Sequence, residues 1–195
     1  MASEPRQRLT IEEYLAFERE TETRLDYLNG ETFAMTGASH EHNVIVTNAV
    51  AALRPQLRSR GCTLYANDMR VRTPADLFTY PDLVVVCGER RFDDPRRDTL
   101  LNPTVLLEVL SESTRDYDRG TKFTHYRMIP SLVEYVLVAQ DGIHVEHFVR
   151  QASDRWLLTE IAGREQTLEL SSIRCKLALR DVYEDVLDGA APQAG

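Results

Sequence analysis

Two apolar runs in the sequence, each associated with a single carboxylate, constrain the fold most strongly. The first run is Leu83–Cys87, which directly follows Asp82, and the second is Val105–Leu110, which contains Glu108. Continuous runs of β-branched and aliphatic residues are typical of central strands that are buried on both faces of a sheet. An unpaired charge in such a strand is costly, so each carboxylate needs a cation or hydrogen-bond donors nearby. We therefore predict that Asp82 and Glu108 lie at one binding site.

A metal ion and a lysine would complete that site. Asp82 opens its strand, where the end of a sheet meets solvent, and two converging carboxylates are a usual arrangement for Mg²⁺ beside a phosphate. Lys122 shares a helical face with Tyr126 and Ile129, and this face is expected to lie on the sheet. The alternatives for Lys122 are a solvated helix lysine or an ion pair with Asp118. We predict a phosphodiester-cleaving site in which Lys122 assists a water whose pKa the metal lowers.

The remaining patterns predict an α/β (α+β) fold, in which a mixed β-sheet is flanked by helices and followed by an antiparallel C-terminal meander. Thr10 and Glu13 form a capping box, which predicts a helix from Ile11 to about Arg19. Asn29-Gly30 predicts a hairpin, because both residues tolerate positive φ. Other predicted elements are a helix from His42 that Pro55 kinks or ends, strands near 62–65, 68–72, 134–138, 143–149 and 156–161, a loop at 88–98, and helices at 115–128 and 181–187.

Bulk properties limit the class of protein. The 195 residues are 43% hydrophobic and 28% charged, which predicts one domain over 1–188 and a disordered tail at 189–195. A net charge of −8 argues against broad, non-specific nucleic-acid binding but allows a local basic groove. Cys62, Cys87 and Cys175 form no C-x-x-C pair and are predicted to be reduced thiols. Neither an apolar leader nor a run of ~18 apolar residues is present, which predicts a cytoplasmic protein without a membrane segment.

Three further residues are candidates for supporting roles. Alternation places Glu31 on one strand face with Phe33 and Met35, so Glu31 could supply another carboxylate, or it could be an ordinary edge-strand acid. His42 heads a buried helix face and is either a hydrogen-bond partner of a catalytic carboxylate or a structural histidine. Arg70 is either a phosphate contact or a surface arginine.

Several segments around these candidates resemble the Uma family of restriction-endonuclease-like proteins, within the PD-(D/E)XK nuclease superfamily. The segments are Tyr80–Val85, Leu107–Thr114, Tyr117–Phe123 and Ile129–Tyr135. The resemblance covers 9–187, nearly the whole chain. In the usual superfamily motif the lysine stands two residues after the acid, but Leu110 occupies that place here. Lys122 lies where related proteins carry the displaced lysine.

The resemblance implies a sheet of four or more mixed strands, a requirement for Mg²⁺ or Mn²⁺, and often a homodimer. Our main hypothesis is a Mg²⁺-dependent endonuclease acting on DNA, with Asp82 and Glu108 as metal ligands, Lys122 assisting the water, and Glu31 or His42 in support. A competing hypothesis is a catalytically silent nucleic-acid-binding or regulatory module on the same fold. A third keeps the metal but changes the substrate to RNA or a nucleotide.

Overall fold

The computed structural model describes residues 8–21, 23–34 and 37–186. Met35 and the predicted tail at 189–195 lie outside this range. The strands are β1 (Leu25–Leu28), β2 (Glu31–Ala34), β3 (Cys62–Ala66), β4 (Arg70–Arg72), β5 (Phe78–Thr79), β6 (Leu83–Cys87), β7 (Thr99–Leu100), β8 (Val105–Leu110), β9 (Glu134–Ala139), β10 (His144–Arg150), β11 (Trp156–Ala162), β12 (Thr167–Leu170) and β13 (Cys175–Ala178). The α-helices are α1 (Ile11–Thr21), α2 (His40–Leu57), α3 (Arg115–Tyr117), α4 (Phe123–Tyr126) and α5 (Leu179–Val182).

A six-stranded mixed sheet forms the centre of the protein, in the order β11-β10-β9-β8-β6-β3. The β8–β9 pair is parallel and the other pairs are antiparallel. The predicted mixed sheet and the antiparallel meander of β9, β10 and β11 are therefore confirmed. In the β6–β8 pair Leu83 stands opposite Leu107, so the preceding Asp82 lies beside Glu108 at the end of the ladder.

Both faces of this sheet are buried, which explains the continuous apolar runs. Leu83 and Val85 pack on the face covered by α2, α5 and the β12–β13 hairpin. Val84 and Val86 point to the other face, where they pack with Tyr126 and residues that follow it. Alternate side chains of a strand point to opposite faces, so a strand covered on both sides contains almost no polar residues.

A second sheet has the order β2-β1-β5-β4-β7 and carries the predicted hairpin. Asn29 and Gly30 form its turn with φ of 53° and 88°, as the sequence predicted. The predicted capping box is also present at α1, since Thr10 N donates to Glu13 Oε2 (2.8 Å) and Glu13 N donates to Thr10 Oγ1 (3.2 Å). Helix α1 then packs on this sheet through Tyr14, whose ring stacks on that of Tyr27.

The predicted helix at 115–128 contains a π-helical turn. Segment Asp118–Lys122 lies between α3 and α4, and Phe123 N donates to the carbonyl of Asp118 five residues earlier. We call the run 115–126 the site helix. π-helical turns are rare and occur frequently at functional sites.

Other differences from the sequence predictions depend on long-range pairing. Cys62 and Cys87 are opposite each other in the β3–β6 ladder and form a disulfide, so the prediction of reduced thiols is wrong for this pair. Cys175 is free and buried.

The β12–β13 hairpin was not predicted, and the last helix, α5, begins at Leu179 rather than Asp181. Helix α2 continues through Pro55 and ends two residues later.

Among the described residues, none of the helices combines the length and the apolar character that crossing a membrane requires.

Candidate active site

Asp82 directly precedes β6, and groups from two other elements hold its side chain. Its Oδ2 accepts a hydrogen bond from the backbone N–H of Val109 (2.7 Å) and contacts His42 Nε2 (3.1 Å). The backbone N–H of Asp82 points to Glu108 Oε2 at 3.4 Å. These contacts bring Asp82, Glu108 and His42 together, as the strand pattern and the start of α2 led us to expect.

Glu108 and Lys122 form a buried ion pair beneath Asp82. Lys122 Nζ lies 3.0 Å from Glu108 Oε1, and the Tyr126 hydroxyl donates to the same oxygen at 2.8 Å. Lys122 Nζ also lies 3.0 Å from Asp118 Oδ1, one turn earlier in the site helix. The lysine therefore faces the sheet and also forms the ion pair with Asp118 that was considered as its alternative.

Burial and neighbouring charges act on these groups in opposite directions. Burial lowers the pKa of Lys122, but the carboxylates of Glu108, Asp118 and Asp26 outweigh this effect and raise that pKa well above its ordinary value. Burial also raises the pKa of Glu108, and the Lys122 charge opposes that rise. The raised pKa of Glu108 conflicts with the raised pKa of Lys122, because a higher Glu108 pKa favours the neutral acid and a neutral Glu108 would stabilise the Lys122 charge less. We assign the ionised pair, since Glu108 Oε1 receives hydrogen bonds from both Lys122 and Tyr126.

Asp26 on β1 is a further carboxylate that the sequence reasoning missed. It is buried and lines the same cavity as Asp82. Burial raises the pKa of Asp26, and the Lys122 charge partly opposes this. The available signal was a single acid between Leu25 and Tyr27, two residues whose apolar character marks a buried strand.

Glu31 and Arg70 lie elsewhere. The Glu31 side chain on β2 is 54% exposed and lies 3.7 Å from Arg8, so it is an edge-strand acid and not a further carboxylate of the site. Glu31 stands opposite Leu28 beside the hairpin turn, and it is not among the residues that line the cleft, although Phe33 of the same strand is. Arg70 is buried away from solvent and pairs with Glu18, which removes it as a phosphate contact.

The carboxylates and the lysine of the candidate site line one cleft, which has a volume of about 440 Å³. Asp26, Asp82, Glu108, Asp118 and Lys122 line its interior. Its other lining residues include Arg24, Phe33, Asn67, Ser111 and Ser113.

The donor set fits one kind of metal site. No group of three or more His, Cys, Asp or Glu side chains within 8–21, 23–34 and 37–186 is arranged to hold a metal ion. Asp82 and Glu108 nevertheless offer two carboxylates, and Asp82 Oδ1 has no protein hydrogen-bond partner among these residues. Mg²⁺ is commonly bound through one or two carboxylates, with water and phosphate oxygens in the remaining positions. The pair therefore fits an open Mg²⁺ or Mn²⁺ site and does not fit a closed structural one.

Comparison with known proteins gives the family. Residues 11–180 match the Uma2 family, described as "Putative restriction endonuclease". The chain belongs to the Uma2 family. Two proteins of Synechocystis sp. (strain ATCC 27184 / PCC 6803 / Kazusa) are similar over almost their whole lengths. Protein sll1609 is 34% identical over 85% of this chain and 94% of its own, and protein slr1290 is 30% identical over 93% and 94%.

A solved structure shares the fold. The crystal structure of "a putative nuclease belonging to DUF820" from Anabaena variabilis ATCC 29413 has a TM-score of 0.75 at 17% sequence identity. The match covers 92% of this chain and 99% of the other. At this identity the comparison shows the nuclease-like fold, and membership of the Uma2 family rests on the sequence match.

Proposed function

We propose that this Uma2 protein is a metal-dependent endonuclease that hydrolyses phosphodiester bonds of DNA. The observation that carries the proposal is the convergence of Asp82 and Glu108 at one end of the β6–β8 ladder, with a buried lysine on Glu108. The family description and the nuclease-like fold support the same class of reaction.

In this proposal Asp82 and Glu108 hold Mg²⁺ or Mn²⁺. When bound, the metal lowers the pKa of a water and offsets charge that develops on the phosphate. The His42 contact fixes the orientation of Asp82, and the Tyr126 hydroxyl fixes that of Glu108. Both positions are therefore set before substrate arrives.

Lys122 acts in this proposal as a charged hydrogen-bond donor. Three surrounding carboxylates raise its pKa well above the ordinary value despite burial, so it retains its proton near neutral pH. A protonated lysine cannot abstract a proton from water, but it can donate to a phosphate oxygen and stabilise the transition state. The expected assistance of Lys122 to the water is therefore electrostatic and excludes a general-base role.

The test compares cleavage of plasmid and oligonucleotide DNA by the wild type, Asp82→Asn, Glu108→Gln and Lys122→Met in Mg²⁺ and in Mn²⁺. We expect each variant to lose at least about 10²-fold in rate, Lys122→Met because it removes one transition-state donor and the other two because they weaken the metal site. Glu169→Gln is the matched control, because Glu169 is an exposed strand acid that pairs with Lys176.

Wild-type cleavage rates in Asp82→Asn would contradict the proposal. DNA binding without turnover in either metal, unchanged in Lys122→Met, would favour the silent binding module instead. RNA and single nucleotides, assayed beside DNA, test the choice of substrate. The cytoplasmic location and the homodimer stay predictions, and gel filtration with light scattering measures the latter.

A further inference from the structure

The cleft carries few positive charges for a protein that would bind nucleic acid. Arg24 and Lys122 are the only arginine or lysine side chains among the described residues that line it. Five carboxylates line the same cleft: Asp26, Asp68, Asp82, Glu108 and Asp118. Duplex DNA is bound mainly by neutralising several phosphates, and the whole chain has a net charge of −8. Phosphate contacts can therefore supply only a small part of the affinity here.

An exposed aromatic ring stands at the mouth of this cleft. Phe33 lies on edge strand β2, is 45% exposed, and lines the cleft. It stands directly opposite Asp26 in the β1–β2 hairpin, so the two side chains lie on the same face. Within the part of the chain that the structure describes, Phe33 stacks on no other ring. A free ring face is thus one strand spacing from a carboxylate of the site.

Arg24 adds one cation beside this ring. It precedes β1, and its guanidinium lies 5.5 Å from the centroid of the Tyr80 ring. Its carboxylate partner, Asp68, is an exposed residue at 3.4 Å, and such pairs are weak in water. Arg24 can exchange this partner for a phosphate oxygen at little cost.

From these observations, and resting on the proposed nuclease function, we propose that the cleft takes a DNA strand with an unpaired nucleotide, whose base stacks on Phe33 while Arg24 contacts a neighbouring phosphate. In a duplex each internal base is already stacked between its neighbours and offers no face to a protein ring, so a blunt duplex presents only the outer faces of its two terminal base pairs. Stacking on an aromatic side chain changes affinity by about 5- to 100-fold per base and tolerates any sequence. The substrate class is therefore single strands, flaps or other unpaired segments.

Fluorescence anisotropy of the full chain, in EDTA so that no metal-dependent cleavage occurs, tests the inference by binding alone. The probes are a labelled single strand of about 12 nucleotides and the blunt duplex of the same sequence. We expect tighter binding of the single strand, loss of about 5- to 100-fold in Phe33→Leu, and retention in Phe33→Trp. The dependence of log K on log salt should have a slope of only about −0.7 to −1.4, as for one or two phosphates.

Phe17→Leu is the matched control, because Phe17 is 46% exposed but lies on α1, outside the cleft. Equal or tighter duplex binding, or equal effects of Phe33→Leu and Phe17→Leu, would overturn the inference. Its failure is separable from failure of the proposed function, which the Asp82→Asn cleavage assay measures. Phe33-dependent binding without any cleavage would keep the inference and reject the nuclease.

Discussion

Two clusters of buried charge in this protein differ in whether their charges are balanced. In the Arg70 cluster two guanidinium groups face two carboxylates, and each hydrogen-bonding group faces a partner; its members are Glu18, Arg19, Arg70, Tyr80, Asp98 and Thr99. Arg70 donates to Glu18, to Tyr80 OH (3.1 Å) and to Thr99 Oγ1 (2.8 Å), and lies 3.0 Å from Asp98. Glu18 in turn accepts from the Tyr80 hydroxyl (2.7 Å) and from Leu25 N (2.9 Å).

The cleft cluster, which comprises Asp26, Asp82, Glu108, Asp118 and Lys122, is unbalanced. It places four carboxylates around one lysine and opens to solvent. His42 Nδ1 is buried there without a hydrogen-bond partner among the described residues. A balanced buried cluster holds elements together, whereas a surplus of buried carboxylates is the pattern expected of a site that binds a cation or substrate. We therefore treat the Arg70 cluster as structural charge and, under the proposed function, the cleft cluster as functional charge.

The largest expected effect is on stability, from Arg70→Met. This change leaves Glu18 charged and buried without its cation, so we expect the free energy of unfolding to fall by about 3–5 kcal/mol in urea denaturation. Arg24→Met is the control, since its exposed ion pair is worth about 0–1 kcal/mol. The double variant with Glu18→Gln should recover part of the loss. An Arg70 effect as small as that of Arg24 would erase the distinction between the clusters.

For Asp26→Asn in the cleft cluster we expect the free energy of unfolding to rise rather than fall. Burial raises the pKa of Asp26, so the folded state binds its proton more tightly than the unfolded state does. The contribution of Asp26 to the stability of the wild type is therefore highest below its pKa in the unfolded state, about 3.9, and falls as pH rises through its pKa in the folded state. We expect Asp26→Asn to gain about 0.5–2 kcal/mol at pH 8 and little at pH 3, measured by thermal unfolding in EDTA. A loss at pH 8 would place Asp26 among the structural charges.

Divalent cations should stabilise the cleft cluster selectively. At a Mg²⁺ concentration tenfold above the dissociation constant we expect about 1.4 kcal/mol of added stability, seen as an increase in Tm. The increase should be absent in Glu108→Gln and present in Arg19→Met, because Arg19 lies outside the cleft and pairs with Asp94 and Asp98. Equal increases in all three proteins would indicate non-specific binding of the cation to an acidic surface.

The smallest expected effect concerns acid stability near the Arg70 cluster. Burial favours a higher pKa for Asp98, but hydrogen bonds from Arg19 and the charge of Arg70 outweigh it and hold that pKa at about 2. The contribution of Asp98 is thus present above about pH 3.9 and is lost as pH falls toward 2. Arg19→Met should cost about 0.2–1 kcal/mol at pH 7 and nothing near pH 2, by urea titration. A cost that does not change with pH would point to lost packing.

Local chemistry was enough to predict much of the fold. Asn29-Gly30 requires positive φ, and Thr10 and Glu13 cap each other, so both signals act over a few residues and both were found. The β12–β13 hairpin was missed because its turn at 171–174 contains no such pair, and the positive φ falls on Arg174 instead.

The site was predicted where a residue stood out from its own strand, and missed where tertiary position decided. Glu108 is the single carboxylate in an aliphatic strand, and this contrast was enough to identify it as a candidate site residue. Glu31 and Asp26 flank the same turn on the same face of the hairpin, and only the placement of that hairpin against the rest of the protein decides which acid reaches the cleft. The Cys62–Cys87 disulfide likewise depends on the register of two strands that are distant in sequence.

The π-helical turn at 118–122 makes chain length a determinant of this site. Deleting one residue there would let the backbone relax into an ordinary α-helix at little cost to hydrogen bonding. The deletion would also change the spacing of Asp118 and Lys122 from i, i+4 to i, i+3, and with it the geometry of their ion pair. An alignment gap at this turn in a relative therefore indicates a rebuilt site, even where each of the acids and the lysine is still present.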